Sequence, residues 1–564
     1  AGLAGSGLDA LAVHLHPVRL RQLALPAGVV VVLALTTALT PLAGSDVPGA
    51  VRPGLDEIAG WAAALVLTAG GMAWLGRAGN PARARLLPAL AAAAIVELFI
   101  AGRAQPYNRL SAETAWSSQR PSISTLLAAT GGEEARPRFL SLSDITFDPG
   151  DLHELEAVYG PHLGGDELYD LIVASKLKEV LSPNLSMAWG LPSVDGFDGG
   201  LLPTRDYVRF TSLFTGGEAA VDGRLREYLD AVPPLDWLRL AGVRYVITDK
   251  VGDFWHDDVY YDLTFPYALD SAADPAAPLV ARPTRPFTAT GVGIIGTVAD
   301  AEPGVEAARL RIIPAGGGEP LELPLVFGEA FESNGERNHA LVEWGEPVRI
   351  GQIEIAPAES FTGAVIVQGA SLVDTRSGAY VSTSLSPGGA VRVIHSGDVK
   401  VYEITDAPPR AELICDPEFV SSDDAAFAQL AESPREPVIV GQGSAGTTGC
   451  DSAEPGTLEV LRYRPERVDI RVDVADAGVY LLLRDQWYPG WEVTVDGEAA
   501  GAPLKANGVF RAVPVPEGQH LITFTYRSEP ALTGMLVSGV SVVGLLFSLR
   551  RWRRAGPAHT SGAP

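Results

Sequence analysis

The chain has 564 residues, 47% of them hydrophobic, and carries 43 basic against 68 acidic side chains for a formal net charge of −25. So much apolar content excludes a largely disordered chain, and its scattered Gly and Pro lack the triplet period of collagen. The acidity argues against a nucleic-acid protein, because phosphate needs a basic face. Cys415 and Cys450 are the two cysteines, with no CxxC pair and no Cys/His cluster at zinc spacing, so no metal and no cofactor are expected. At ~150 residues per domain the length predicts three or four domains. The chain begins at Ala1 and its first methionine is Met72, which suggests a piece of a longer protein.

From the N-terminus, the apolar residues come in runs. Residues 22–45 carry no charge and include Gly28-Val-Val-Val-Val-Leu-Ala-Leu35. Residues 58–76 are a second uncharged run and 530–549 a third, centred on Met535–Leu546, while 86–103 is a further apolar run that contains Glu97. A helix needs about 20 mostly apolar residues to cross ~30 Å of hydrocarbon. The pattern therefore predicts transmembrane helices at about 23–43, 58–76, 86–103 and 530–549, with buried core helices as the alternative. The first run has no clean cleavage site, so it reads as a span and not as a signal peptide. A carboxylate in lipid is costly, so Glu97 is expected either to face a partner helix or cavity, or to mark the hydrocarbon boundary.

Arginines orient these spans. Arg19 and Arg21 precede the first, Arg77, Arg83 and Arg85 separate the second from the third, and Arg550, Arg551, Arg553 and Arg554 follow the last. Positive residues stay cytoplasmic, so both termini are expected inside the cell membrane and residues 104–530 outside. Residues 1–103 carry +2 and residues 531–564 carry +4, which leaves −31 for the exterior. Such a surface is soluble and repels anionic headgroups and polyanions. In an oxidising exterior, Cys415 and Cys450 form a candidate disulfide worth ~3 kcal/mol by loop entropy; two separate buried thiols are the alternative.

The exterior divides by texture. Residues 104–280 read as an α/β domain, with a strand at Arg138–Ser143, helices at Asp166–Val180 and Asp222–Val232, and a short helix from Asp236 stopped by Gly242 before a buried strand to Thr248. Residues 281–400 carry short β-rich runs between Gly/Pro/Glu turns, and 401–528 do so again, with strict alternation in Arg467–Val474 and Trp491–Val495; both predict β-sandwiches, the second close to the membrane. Residues 550–564 form a cytoplasmic tail. The expected class is a multi-pass α-helical membrane protein with a large exterior α/β plus β-sandwich region.

Five segments then stand in a recognisable order. They are Ser182-Pro-Asn-Leu-Ser-Met-Ala-Trp-Gly190 with Val194-Asp-Gly-Phe-Asp198, Leu240-Ala-Gly-Val-Arg-Tyr-Val-Ile-Thr248, Val401-Tyr-Glu-Ile-Thr-Asp-Ala-Pro-Pro-Arg-Ala411, Asp485-Gln-Trp-Tyr-Pro-Gly-Trp491, and Asn507-Gly-Val-Phe-Arg511 running on to a terminal span. This order resembles the C-terminal portion of the YfhO-like bacterial membrane proteins over roughly residues 86–550, with 281–400 the least similar part. The resemblance implies a relative of the GT-C glycosyltransferases, which take sugar from a polyprenyl-phosphate carrier at the outer membrane face. It also implies a catalytic carboxylate in the first exterior loop of a longer N-terminal bundle, so the catalytic residues here are unknown and this chain alone is expected to be inactive. Expected partners are the bilayer, polyprenyl-phosphate-linked sugar and envelope glycan, with no nucleic acid. A non-enzymatic envelope protein whose exterior sandwiches bind glycan or a partner protein is the competing reading.

Other residues offer site chemistry. Asn184, Trp189, Asp195 and Asp198 combine an aromatic face with carboxylates, the chemistry that holds a sugar ring; turn-capping is the alternative. Trp487, Tyr488, Pro489 and Trp491 form an aromatic turn suited to glycan, to the membrane interface, or to packing at the β period. Asp253, His256, Asp257 and Asp258 are an acidic cluster that either binds a hard cation or is a solvated loop. Asp46, Asp56 and Glu57 lie in the first exterior hairpin, with no family motif around them. No GxSxG, P-loop, dinucleotide fingerprint or HExxH occurs, so hydrolase, NTPase and zinc-protease readings lack residues.

Overall fold

A computed structural model describes residues 117–196, 203–270, 278–299, 304–326, 338–441 (less 359, 360 and 362), 450 and 455–554, with isolated helical positions between Ala92 and Phe99. The chain divides into two compact units, Ala1–Ser111 and Ala112–Pro564. The predicted spans at 23–43, 58–76 and 86–103 lie outside the described residues apart from those isolated positions, as do Asp46, Asp56, Glu57 and Glu97.

The expected multi-pass helical class is overturned. Among the described residues, strands in five sheets dominate, and one helix is long and apolar enough to cross a membrane. The apolar runs steered the sequence reading toward helices, whereas the period-2 texture fills most of the described chain. In order, the helices are α1 Pro121–Ala129, α2 Leu152–Tyr159, α3 Gly165–Glu179, α4 Arg205–Ser212, α5 Leu235–Leu240, α6 Asp423–Glu432 and α7 Glu529–Arg554.

The first sheet has four strands. Arg138–Ser141 runs parallel to Val243–Thr248, and Lys400–Ile404 and Val391–Ser396 follow antiparallel. Alternation sends Phe139, Tyr245, Ile247 and Val401 to one face, where Ile123 and Leu126 of α1 cover them. Leu140, Val246 and Tyr402 go to the other, which joins the largest core. Helix α3 places Asp166 and Glu167 in its first turn and Lys176 and Lys178 in its last, complementing the helix dipole. The helix predicted for Asp222–Val232 is instead a 3-10 turn, Leu225–Tyr228. Gly223 sits at φ +81°, and Asp222 Oδ1 accepts from the Arg224 amide at 3.2 Å, a local bond that competes with helix at its start.

Residues 267–387 form one nine-stranded sheet, where two separate sheets of a sandwich were expected. The cause is the 20-residue strand Asn338–Pro357. Its first part pairs with Phe287–Ala299 and its second with Glu306–Pro314 and Leu279–Ala281, with a register shift between Glu343 and Val348. The sheet thereby turns around one aliphatic core containing Val292, Ile294, Leu310, Ile312, Ile353 and Leu372.

Two further sheets face each other. A six-stranded sheet includes Ala411–Ile414, Tyr480–Leu483 and Phe510–Pro514, and a five-stranded one includes Gly456–Arg464, Arg467–Val474, Gly518–Tyr526 and Trp491–Val495. Leu481 and Leu483 meet Val468, Ile470, Ile522 and Phe524 between them, while Leu482 and Ala512 turn to the largest core on the opposite face. Cys415 and Cys450 are joined in a disulfide at the edge of this core, with Cα atoms 5.3 Å apart.

The last strand leads straight into α7. Tyr526 ends it, Ser528 Oγ accepts from the Ala531 amide at 3.3 Å as an N-cap, and the helix starts at Glu529. Of α7, residues Glu529–Ser548 are the candidate span, and its large apolar side chains are exposed around the helix, Leu536, Val540, Val543 and Phe547 among them. An apolar helix whose side chains no described residue covers is suited to lipid.

The backbone at this junction leaves no room for a side chain. Gly490 lies at φ +105°, and a Cβ there would stand 2.4 Å from the Arg527 carbonyl oxygen; the Arg527 amide donates to the Gly490 carbonyl at 2.8 Å. Gly490→Ala is expected to cost about 1–3 kcal/mol through the backbone strain alone. Thermal unfolding measured beside a Tyr488→Phe control checks this; equal midpoints would refute it.

Candidate functional site

The strongest electrostatic feature is a buried node around Asp485, where four arginines and two carboxylates meet. Asp485 accepts from Arg410 and from the Tyr463 hydroxyl at 2.8 Å, and is ion-paired with Arg511 Nη2 at 3.1 Å and Arg138 Nη2 at 3.5 Å. Arg484 Nη2 donates to Glu412 Oε2 at 2.6 Å, and Arg138 Nη2 donates to the Arg484 carbonyl at 2.5 Å. The Arg511 guanidinium lies 3.8 Å from the centre of the Trp491 ring. Burial alone would raise the Asp485 carboxyl, but Arg410, Arg511 and Arg138 outweigh it and hold it below the ordinary carboxylate range. Burial, then Arg410, brings Arg138 down to about 9. Arg410, Arg484, Asp485 and Arg511 come from the six-stranded sheet and its flanks, Arg138 from the first sheet and Tyr463 from the five-stranded one. The node therefore joins three sheets, and its chemistry is that of a junction.

The residues of the predicted sugar-holding loop stand in different local settings. Asn184 stands at φ +71° at the start of the 3-10 turn Leu185–Trp189, and the Trp189 carbonyl accepts from Arg136 Nη1 at 2.8 Å. Asp195 is fully buried, with Oδ2 held by Arg226 Nε at 2.6 Å. Burial raises its carboxyl against the pull of Arg226. Asp198 lies outside the described residues.

The acidic cluster is a hairpin. Strands Asp253–His256 and Val259–Asp262 pair directly, and the connecting Asp257 and Asp258 both have positive φ, as a type I′ turn requires. Asp253 is ion-paired with Lys400 and accepts from the Tyr260 hydroxyl at 2.9 Å. The His256 ring lies 4.2 Å from that of His339, whose imidazole is held below its ordinary pKa by burial and by His256. Among the described residues no group of three or more His, Cys, Asp or Glu could hold a metal.

The aromatic turn divides in two. Trp491 is buried in the core between the facing sheets, whereas Tyr488 is half exposed. Tyr526 lies between them, 5.3 Å from Trp491 and 6.4 Å from Tyr488 between ring centres, two residues before the cap of α7. That places aromatic rings at the start of the candidate span, where such rings sit in membrane proteins.

A cleft that sequence reading did not single out opens beside α5. Its cavity measures about 310 Å³ and is bounded by the segment Ala231–Asp236, Arg239, the turn Phe265–Ala268, Pro387 and Arg435. Pro233, Pro234, Phe265, Pro266 and Pro387 give it apolar walls. Asp236 Oδ1 accepts from Arg239 Nη1 and Arg435 Nε, each at 2.8 Å, and Arg239 also donates to both oxygens of Asp406, at 2.7 and 3.1 Å. The Tyr267 hydroxyl is buried with no hydrogen-bond partner among the described residues. Burial raises this phenol well above its usual range, with Arg239 lowering it and Asp406 raising it in smaller measure. The Pro233-Pro234 and Phe265-Pro266 pairs were the available sequence signal, but nothing local says that they meet.

No family model matches the chain, and no curated protein does. Solved structures include a single-particle cryo-EM structure of arabinofuranosyltransferase AftD from Mycobacteria, with 12% identity, TM-score 0.13, and 46% of this chain against 22% of that one. A mutant of the same enzyme gives 13% identity, TM-score 0.14, and 51% against 24%. The matched region thus spans less than a quarter of the arabinofuranosyltransferase chain.

Proposed function

We propose that this chain is the membrane-anchored, extracytoplasmic part of an envelope protein related to glycosyltransferases that use lipid-linked sugar, and that this part binds glycan and does not itself perform transfer. One observation carries the reading: the five-stranded sheet is continuous through Ser528 with an exposed apolar helix of membrane-spanning length. Arg550, Arg551, Arg553 and Arg554 at its far end favour a cytoplasmic C-terminus and an outward β body. The Cys415–Cys450 disulfide is chemistry of an oxidising compartment. The order of the five sequence segments supports the glycosyltransferase relation. Against transfer by this part, two of its most buried carboxylates are engaged inside the protein: Asp195 by Arg226, and Asp485 by arginines and Tyr463.

Because both native cysteines are bonded, single introduced cysteines report cleanly. An impermeant maleimide should label Gly316→Cys in intact cells and Ser561→Cys only after permeabilisation, and the purified chain should be retained on isolated envelope polysaccharide. The reverse labelling pattern, or no retention, would overturn the proposal.

A further inference from the structure

We infer that the end of the five-stranded sheet from which α7 leaves is a docking surface for the phospholipid headgroup layer, with Arg464, Arg527 and Tyr488 as its contact residues; this rests on the membrane-anchored reading above. Backbone register brings three connections to that end. Arg464 pairs with Arg467 across a hairpin tip, Arg467 pairs with Thr525, and Trp491 pairs with Tyr526. Two bonds tie the neighbouring turns to the residues just before the helix. The Tyr526 amide donates to the Glu466 carbonyl at 2.9 Å, and the Arg527 amide to the Gly490 carbonyl at 2.8 Å. Arg467–Val474 and Trp491–Val495 flank Gly518–Tyr526 in the sheet, so the tip 464–467 lies on one side of the strand that enters α7 and the turn 488–490 on the other.

Distance decides what this end meets. The candidate span begins at Glu529, and two residues of chain reach at most about 7 Å. The headgroup layer is itself about 5–7 Å thick on each side of the hydrocarbon. With Glu529 at the hydrocarbon edge, Arg527 and the two turns bonded to the backbone at 526 and 527 stand in that layer. Such a layer takes cations at its phosphates and amphipathic rings beside them, and this end offers both. Arg464 and Arg527 are exposed, and neither has an ion pair or a side-chain hydrogen bond with a described residue. Exposed acids stand beside them, Glu466, Glu492 and Glu529, none within ion-pair distance of either arginine. Tyr488 is 49% exposed, two residues from the tied Gly490. The exterior as a whole carries −31 and repels an anionic surface, so close approach needs cations at the point of contact. Ser528 is the one residue between the tied backbone and α7. The body can pivot there, and contacts on either side of the helix set its tilt.

The test uses the full chain in nanodiscs of equal phosphatidylcholine and phosphatidylglycerol, with headgroup spin-labelled lipid as quencher. A fluorophore is attached to single introduced cysteines at the exposed Pro465 and Pro489, and at Glu498, beyond the far end of Trp491–Val495, as a control. Pro465→Cys and Pro489→Cys should be quenched strongly and Glu498→Cys little. Arg464→Gln with Arg527→Gln should shift the ratio of docked to undocked body about fivefold for each arginine, read as lost quenching at Pro489→Cys. The thermal midpoint should hold, because both side chains are exposed and unpaired among the described residues. Arg464→Lys with Arg527→Lys should keep most of the quenching, since phosphate accepts either cation. Equal quenching at all three probes would overturn the assignment, as would quenching that the double Gln variant leaves unchanged. If Gly316→Cys still labels from outside and polysaccharide is still retained in that case, the proposed function stands and only the docking surface falls. If Gly316→Cys labels only after permeabilisation, the proposed function itself falls.

Discussion

Replacing Asp485 by Ala is expected to cost about 3–5 kcal/mol of folding stability, the scale on which a buried charge stripped of its partner destabilises a protein. Three guanidiniums face this one carboxylate, and Arg410 and Arg511 are almost wholly buried. Without it they repel one another where water cannot screen them. The loss should appear as a lower denaturant midpoint at unchanged slope, since the surface exposed on unfolding hardly changes. Arg410→Met should cost less, because it removes one cation from an excess. The pH dependence has a definite sign. Asp485 is held below the unfolded carboxylate value of 3.8, so its contribution is present above that value and fades as pH falls through the folded one. Asp485→Asn should then flatten the acid limb of the stability profile. An Asp485→Ala protein within about 0.5 kcal/mol of wild type, the range of an ordinary surface substitution, would show that the node does not hold the three sheets together.

This node marks where the sequence was readable and where it was not. Three of its members sit inside segments that the sequence singled out: Arg410 in the Pro-Pro-Arg-Ala step, Asp485 at the head of the aromatic turn, and Arg511 after Asn507-Gly-Val-Phe. The segments were visible, but their meeting was not, because Arg138 and Arg484 lie 346 residues apart and periodicity says nothing about which charges pair. Local elements were legible for physical reasons. Strict alternation fixed Arg467–Val474, and a glycine at φ +67° stopped α5 before Val243–Thr248, as Gly242 had suggested. The failures share one cause, a competing interaction that local pattern does not encode. Asp222 turned a predicted helix into a capped turn, and one 20-residue strand joined what looked like two sheets. Likewise, the acidic spacing around Asp257 and Asp258 proved to be turn geometry, since both residues occupy the left-handed positions of a hairpin.

Removing the disulfide with Cys415→Ser and Cys450→Ser together is expected to lower stability by about 3–4 kcal/mol, the loop-entropy value for a separation of 35 residues. The loop it closes is a working part of the fold. It contains strand Glu418–Val420, helix α6 and strand Val438–Val440, and these two strands pair in parallel and extend the six-stranded sheet at its edge. Few bonds tie that edge to the next strand. Besides the two-residue ladder with Leu504–Ala506, the Val438 amide donates to Asn507 Oδ1 at 2.9 Å and the Asn507 amide to the Val438 carbonyl at 2.7 Å. Against these, Ala426, Phe427 and Leu430 of α6 reach the largest core, so the segment should stay folded when the bond is cut, but should open before the rest of the molecule. Amide exchange provides the sharper reading: protection should fall first between Glu418 and Val440 in the double variant, while Arg467–Val474 stays protected. Matching denaturation midpoints with and without reductant, together with unchanged exchange in Glu418–Val440, would show that packing of α6 alone holds this edge and that the covalent link adds nothing measurable.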